Sequence, residues 1–182
     1  MNREKLSLEA LNRISPKEFE ELDKLPLVII LDNVRSMNNV GSVFRTSDAF
    51  RIEKIYLCGI TPTPPHREIQ KTALGATETV AWEQRNSTLE LVKELQGKDY
   101  MVYSIEQTKG SEMLDSFTPQ RDKKYAFILG NEVEGVDQEV VNFSNGVIEI
   151  PQFGTKHSLN VSITCGIIIW DFYSKTKTLI YP

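Results

Sequence analysis

From Ser158 through Trp170 the chain carries no charged residue. A helix apolar on nearly every side must be covered, and this run falls short of the roughly 20 residues that span a bilayer. It therefore reads as a core helix or one shared with a second subunit. What precedes it is equally constraining. A short strand, Val147-Ile148-Glu149-Ile150, is stopped by Pro151, which offers no N–H to a ladder. A loop, Gln152 to His157 with Gly154 inside it, then leads to Ser158, the expected N-cap of the helix. Asn160 in the first turn needs partners, and a loop–helix junction presenting backbone N–H groups suits a polar ligand.

The rest of the chain supplies a sheet for that helix to cover. Leu27-Val28-Ile29-Ile30-Leu31 is a continuous apolar run, as expected for a strand buried on both faces of a parallel sheet. A polar loop from Asp32 to Gly41 follows, and Val40, Val43, Phe44, Ala49 and Phe50 then predict a helix carrying Arg45 and Arg51. Ligands of open α/β sheets gather at the C-terminal ends of strands, which makes Asn39 and Arg45 candidate site residues. Further strands are expected at Lys54–Cys58, Thr79–Trp82, Tyr100–Ile105 and Tyr125–Leu129, with a helix from Ser87 to Gln96 stopped by Gly97. Strands spaced by helical segments define an α/β fold with a parallel sheet.

Residues 4–24 read as two short helices, because Ser15-Pro16-Lys17-Glu18 offers an N-cap, a first-turn proline and a capping-box glutamate. At 182 residues the chain suits one domain, 1–182, with a helical extension over 1–26 and a core over 27–175. Cys58 and Cys165 stand far apart and form no CxxC pair, so neither a disulfide scaffold nor a metal site is expected. The N-terminus lacks the apolar core of a signal peptide, which makes a cytoplasmic protein the expectation. A net charge of −4 and a pI of about 5.3 argue against a general nucleic-acid binder and leave room only for a local basic face.

Three loops carry the remaining signals. Residues 61–77 place three prolines before His66, Arg67 and Lys71, which suits either phosphate contacts or a solvated crossover. Residues 115–124 read as a surface connection. Residues 130–137 follow a buried strand and hold Gly130 and Gly135, which permit tight turns and close backbone approach to a ligand.

Taken together, NNVGSVFR at 38–45, ILGNEVEGV at 128–136 and IPQFGTKHSLNVS at 150–162 resemble the three motifs of the SpoU (TrmH-like) RNA ribose methyltransferases of the SPOUT superfamily. The resemblance spans most of residues 27–173, and its third motif is the most specific. It implies a C-terminal deep trefoil knot, a homodimer, and S-adenosylmethionine bound in the knot. The implied reaction is methyl transfer to a ribose 2′-OH of tRNA or rRNA, with tRNA favoured because the chain resembles the compact members.

Carried over by motif, the resemblance assigns Asn39, Arg45, Glu132, Ser158 and Asn160 to catalysis. Cofactor contacts fall on Gly130, Ile150, Ser158 and Leu159, with Ile105 completing the adenosyl site. Arg35, Arg67, Lys71 and Lys156 are the cations expected to meet RNA. Gln152 stands where the family often has methionine, and Thr164 where alanine is common. Methyl transfer from a sulfonium needs no metal, only orientation of the hydroxyl, removal of its proton and exclusion of water. Glu132 and Asn160 are expected to hold Arg45 and Asn39 in place. Two rivals stand beside this reading. A Rossmann-type methyltransferase is disfavoured because no strand is followed by G-x-G-x-x-G, and a non-catalytic knotted RNA binder because the catalytic positions are all present.

Overall fold

A computed structural model of the chain describes residues 3–7 and 14–180, with side chains through 177. Seven strands form one sheet: β1 (Leu25–Asp32), β2 (Ile52–Cys58), β3 (Trp82–Arg85), β4 (Tyr100–Ile105), β5 (Glu112–Met113), β6 (Lys124–Leu129) and β7 (Gly146–Glu149). Their order across the sheet is β3-β2-β1-β6-β4-β7-β5, and every pairing is parallel. β1 explains the apolar run. Leu27, Ile29 and Leu31 enter one hydrophobic cluster while Val28 and Ile30 enter the other, so the strand is buried on both faces.

Helices cover both sides. On the first lie α2 (Met37–Ala49), α3 (Arg67–Ala73) and α6 (Val161–Ile180), which contribute Val43, Phe44, Ile69, Cys165, Ile168 and Phe172. On the second lie α4 (Thr88–Gly97) and α5 (Gln138–Phe143), through Leu91, Val92, Leu95 and Val140. β1 has β2 on one side and β6 on the other, so the strand order reverses between β1 and β6. The crevice outside the carboxyl ends of such a pair is where open α/β sheets bind ligands.

Several boundaries differ from the sequence reading, each for a local reason. α2 begins at Met37 and not near Val40, because Ser36 caps it by accepting from the Asn39 N–H at 3.3 Å; Asn38, Asn39 and Gly41 are helical. The 61–77 segment contains α3, capped by His66, where a plain loop was expected. β3 starts at Trp82, three residues later than the strand expected from Thr79. It is a half-exposed edge strand with no apolar run to mark it.

Ser158 does not cap the last helix. Asn160 does, its Oδ1 accepting from the Ser162 N–H at 2.9 Å and its carbonyl from the Thr164 N–H at 2.9 Å. The 115–124 connection is anchored inward. Phe117 is buried between Tyr103, Tyr125 and Phe127. Of the two N-terminal helices, one is present as α1 (Pro16–Glu21), with its capping box formed and Phe19 in the core; residues 3–7 are neither helix nor strand, and 8–13 lie outside the described residues. No helix among the described residues is long and apolar enough to cross a membrane.

Candidate active site

The site grows from the turn after β6. Asn131 pairs with Gly135 through both backbone bonds at 3.0 Å, and its side-chain oxygen accepts from the Val133 and Glu134 N–H groups at 2.9 and 3.2 Å. Its amide then donates to the Asn33 carbonyl at 2.8 Å, tying this turn to the end of β1. Gly130 is required here. A Cβ on it would lie 2.0 Å from the Gly135 carbonyl carbon and 2.1 Å from the Val136 nitrogen.

The closed turn aims Glu132 across the crevice. Its carboxylate accepts from the Arg35 and Ser36 N–H groups and from the Asn39 amide, each at 3.0 Å, and so sits at the N-terminus of α2. Burial opposes its charge, but the Arg35 and Ser36 N–H groups and the Asn39 amide outweigh it and hold the carboxyl below its ordinary range. Asn39 is itself buried and passes the chain on, its Oδ1 accepting from Asn160 Nδ2 at 3.1 Å. Glu132, Asn39 and Asn160 thus form one hydrogen-bonded line joining the three motif segments. The two asparagine amides are fully oriented by it.

Next to this line lies a cleft of about 520 Å³, within the roughly 300–1,000 Å³ of small-molecule sites. The loops after β4, β6 and β7 line it. Ile105, Gly130, Ile150, Ser158 and Leu159 are all on its wall, together with Glu132 and Asn160. Sequence reasoning missed Glu106 and Gln107, and within the 130–135 loop did not single out Asn131 and Glu134; all four line the cleft. Gln107 donates from Nε2 to the His157 carbonyl at 2.6 Å, bridging two walls. Asn131 could have been found as the residue between Gly130 and Glu132; nothing in the sequence marks Gln107.

Arg45 stands apart from this network. It is exposed on α2, about 9 Å along the axis from Asn39 at 1.5 Å per residue, and among the described residues it has no hydrogen-bond or ion-pair partner. The expectation that Glu132 and Asn160 hold it in place is therefore corrected: they hold Asn39. Arg35, Arg67, Lys71 and Lys156 are exposed. α3 carries Arg67 and Lys71 against α2, where Thr72 Oγ1 donates to the Asn38 carbonyl at 3.0 Å and a Cβ on Gly41 would meet the Ile69 carbonyl oxygen at 2.3 Å. Lys71 lies 3.9 Å from Glu68. Cys58 and Cys165 are inert, burial pushing both thiols up to about 12. Among the described residues no cluster of three or more His, Cys, Asp or Glu side chains could hold a metal ion.

A parallel α/β sheet with a ligand-sized cleft outside the carboxyl ends of β4, β6 and β7, bordered by three linked motif segments, defines an open-sheet α/β protein with a small-molecule-sized site. The sequence model of the SpoU rRNA Methylase family matches residues 26–170, and the chain belongs to that family, within the SPOUT superfamily. It is 28% identical over 151 residues to the 23S rRNA (guanosine-2'-O-)-methyltransferase RlmB of Neisseria meningitidis serogroup B, covering 83% of this chain and 59% of that protein. The chain thus spans less than two thirds of that relative's length. Among solved structures, the TrmH/SpoU tRNA modifying enzyme of A. aeolicus superposes with a TM-score of 0.79 at 23% identity, over 90% of this chain and 83% of that one. The AdoMet-bound rRNA methyltransferase of Sinorhizobium meliloti gives 0.77 at 25% identity, over 89% and 61%.

Proposed function

We propose that the chain binds S-adenosylmethionine in the 520 Å³ cleft and methylates a ribose 2′-OH of RNA, tRNA ahead of rRNA. The observation that carries this reading is the Glu132–Asn39–Asn160 line beside a cleft walled by residues 130–135 and by Ile150, Gln152 and 157–159. Family membership and the AdoMet-bound S. meliloti neighbour support the cofactor. The preference for tRNA is that of the sequence reading, which likens the chain to the compact members of the family, and rRNA stands beside it because the Neisseria relative is an rRNA enzyme.

When bound, the sulfonium supplies an electrophilic methyl group. The protein's part is orientation and charge. Glu132 locks the Asn39 amide, which in turn orients that of Asn160, and Glu132, with three donors on its carboxylate, is held as an anion and is a poor proton acceptor. Arginine does not deprotonate at accessible pH, so Arg45 clamps the phosphate beside the reacting ribose and stabilises the forming alkoxide, leaving that phosphate or water to take the proton. Arg35, Arg67 and Lys71 on and beside α2 and α3, with Lys156 on the cleft loop, give an otherwise acidic chain its RNA face.

The same reading includes the trefoil knot, a single domain with its core over 27–175, action in the cytoplasm, and a homodimer. Ile163, Ile167 and Trp170 support the dimer. They share one face of α6 by their spacing and are 56%, 36% and 58% exposed, an apolar stripe that a second copy would cover. Sedimentation at micromolar concentration is expected to give twice the chain mass, and a monomer there counts against it.

The reaction itself is tested with Arg45→Lys, which keeps the charge and loses the planar fork. Cofactor affinity stays within about twofold and RNA affinity falls modestly, as for weakening one phosphate contact. Single-turnover transfer of labelled methyl to bulk tRNA falls by roughly 100-fold or more, the scale of losing one transition-state donor. A variant that turns over at the parent rate removes Arg45 from the mechanism.

A further inference from the structure

The cleft has a charge that the proposed reaction does not use. Among the described residues three carboxylates line it, Glu106, Glu132 and Glu134, with no lysine or arginine and with His157 as the one basic side chain. Glu132 is already occupied by the α2 donors and Asn39. Glu134 is exposed. Glu106 is different. It follows β4 directly, is half-buried, and is fixed by the Val136 N–H, which donates to its Oε1 at 2.8 Å. Gly135 makes room for it, since a Cβ there would come within 2.4 Å of that same oxygen. The other oxygen meets only the Gln107 N–H, at 3.3 Å. A rigidly held carboxylate with an underused oxygen therefore stands in the cleft wall.

We propose that Glu106 makes the cleft read the charge of its occupant, favouring the sulfonium cofactor over the neutral thioether that remains after transfer. This rests on the cofactor reading above. The two ligands differ by one methyl group and one positive charge. The ribose oxygen attacks the methyl carbon and bonds to it as the sulfur–methyl bond breaks; the sulfur keeps the bonding pair and becomes neutral, and the attacking hydroxyl gives up its proton. Fixed carboxylates on one wall give the cleft a negative potential, so the cofactor gains an attraction that vanishes once the methyl has gone. Glu106 thereby helps load the substrate form and release the spent one. An apolar cleft of the same shape would separate the two by the methyl group alone.

The experiment is calorimetric titration of the full chain and of Glu106→Gln with three probes: S-adenosylmethionine, S-adenosylhomocysteine, and sinefungin, which carries an amine where the sulfonium sits. In Glu106→Gln the affinity for both cationic ligands falls by roughly three- to tenfold at low salt, while that for S-adenosylhomocysteine changes by less than about twofold. In the parent, added salt weakens the cationic ligands more than the neutral one. Equal weakening of all three means that Glu106 only braces Val136, and overturns the proposal, as does no change in any. A parent chain that binds none of the three removes the cofactor reading itself, and this proposal falls with it. Binding of all three with unchanged ratios removes only the charge reading.

Discussion

The segments 130–136 and 152–159 each contribute a wall of one cleft, through 130–135 in the first and Gln152 with 157–159 in the second, and are built in opposite ways. In the first, Asn131 closes the turn on itself and ties it to β1, Glu132 engages α2, and Gly130 fits with no room for a methyl group. In the second, residues 153–159 are exposed, Phe153 at 97%, and the bond from Gln107 to the His157 carbonyl is the one hydrogen bond among the described residues that reaches the segment from outside. One wall is preorganised by its own backbone accounting, and the other depends on a single strap and on whatever it binds. Loops of the second kind open locally at small free-energy cost, while the first opens only with the sheet.

The same substitution placed in each wall gives the largest contrast. Gly130→Ala forces a methyl group into backbone at 2.0 to 2.3 Å, where no flexible side chain can yield, so the turn must open. It is expected to lose about 3 kcal/mol or more and to bind cofactor too weakly to titrate. Gly154→Ala meets nothing within 4 Å and should stay within about 0.5 kcal/mol of the parent. Urea melts of both variants check this, and equal effects would erase the distinction between the walls.

A smaller effect comes from the link between the first wall and α2. Glu132→Gln leaves one of the donors at Arg35, Ser36 or Asn39 without an acceptor, for about 1–2 kcal/mol at pH 7. The pH dependence follows from the direction of the shift. A carboxyl held below the ordinary 4.5 contributes stability that is complete above that value and is lost as pH falls through the lowered one. The gap between parent and variant should therefore narrow as the pH is taken from 7 down through the acid range below 4.5. A gap that persists there assigns the effect to packing and not to charge.

The contrast also separates what was legible in the sequence from what was not. β4 and β6 were readable nearly to the residue, β6 because burial on both faces leaves the continuous apolar run Tyr125–Leu129. β3 and β5 were displaced or invisible, since edge strands such as Trp82–Arg85 and Glu112–Met113 are partly or wholly exposed and need no such run. α3 hid behind its prolines. The three motif segments were readable as a resemblance, and the structure brings them together. The bond from Asn39 to Glu132 joins residues 93 apart, and no local pattern encodes such a pairing. Arg45 shows the limit in the other direction, because a motif position placed it in the network whereas helical geometry leaves it outside.

Gln107 is the part of the site with no sequence signal, and its removal is the mildest test of the two-wall picture. Gln107→Ala deletes one bond, Nε2 to the His157 carbonyl, from an exposed side chain whose neighbours are otherwise unchanged. Global stability should move by less than about 0.5 kcal/mol, because the exposed loop contributes little to the core. The loop itself should loosen, with faster amide exchange confined to 153–159 and none in 130–136. Ordering that loop then has to come from binding, so the cofactor Kd should rise by roughly two- to tenfold, the equivalent of one net hydrogen bond of about 0.5–1.5 kcal/mol. Exchange that quickens equally in both segments would mean that the walls open as one unit, and the strap would then be a detail of a rigid site.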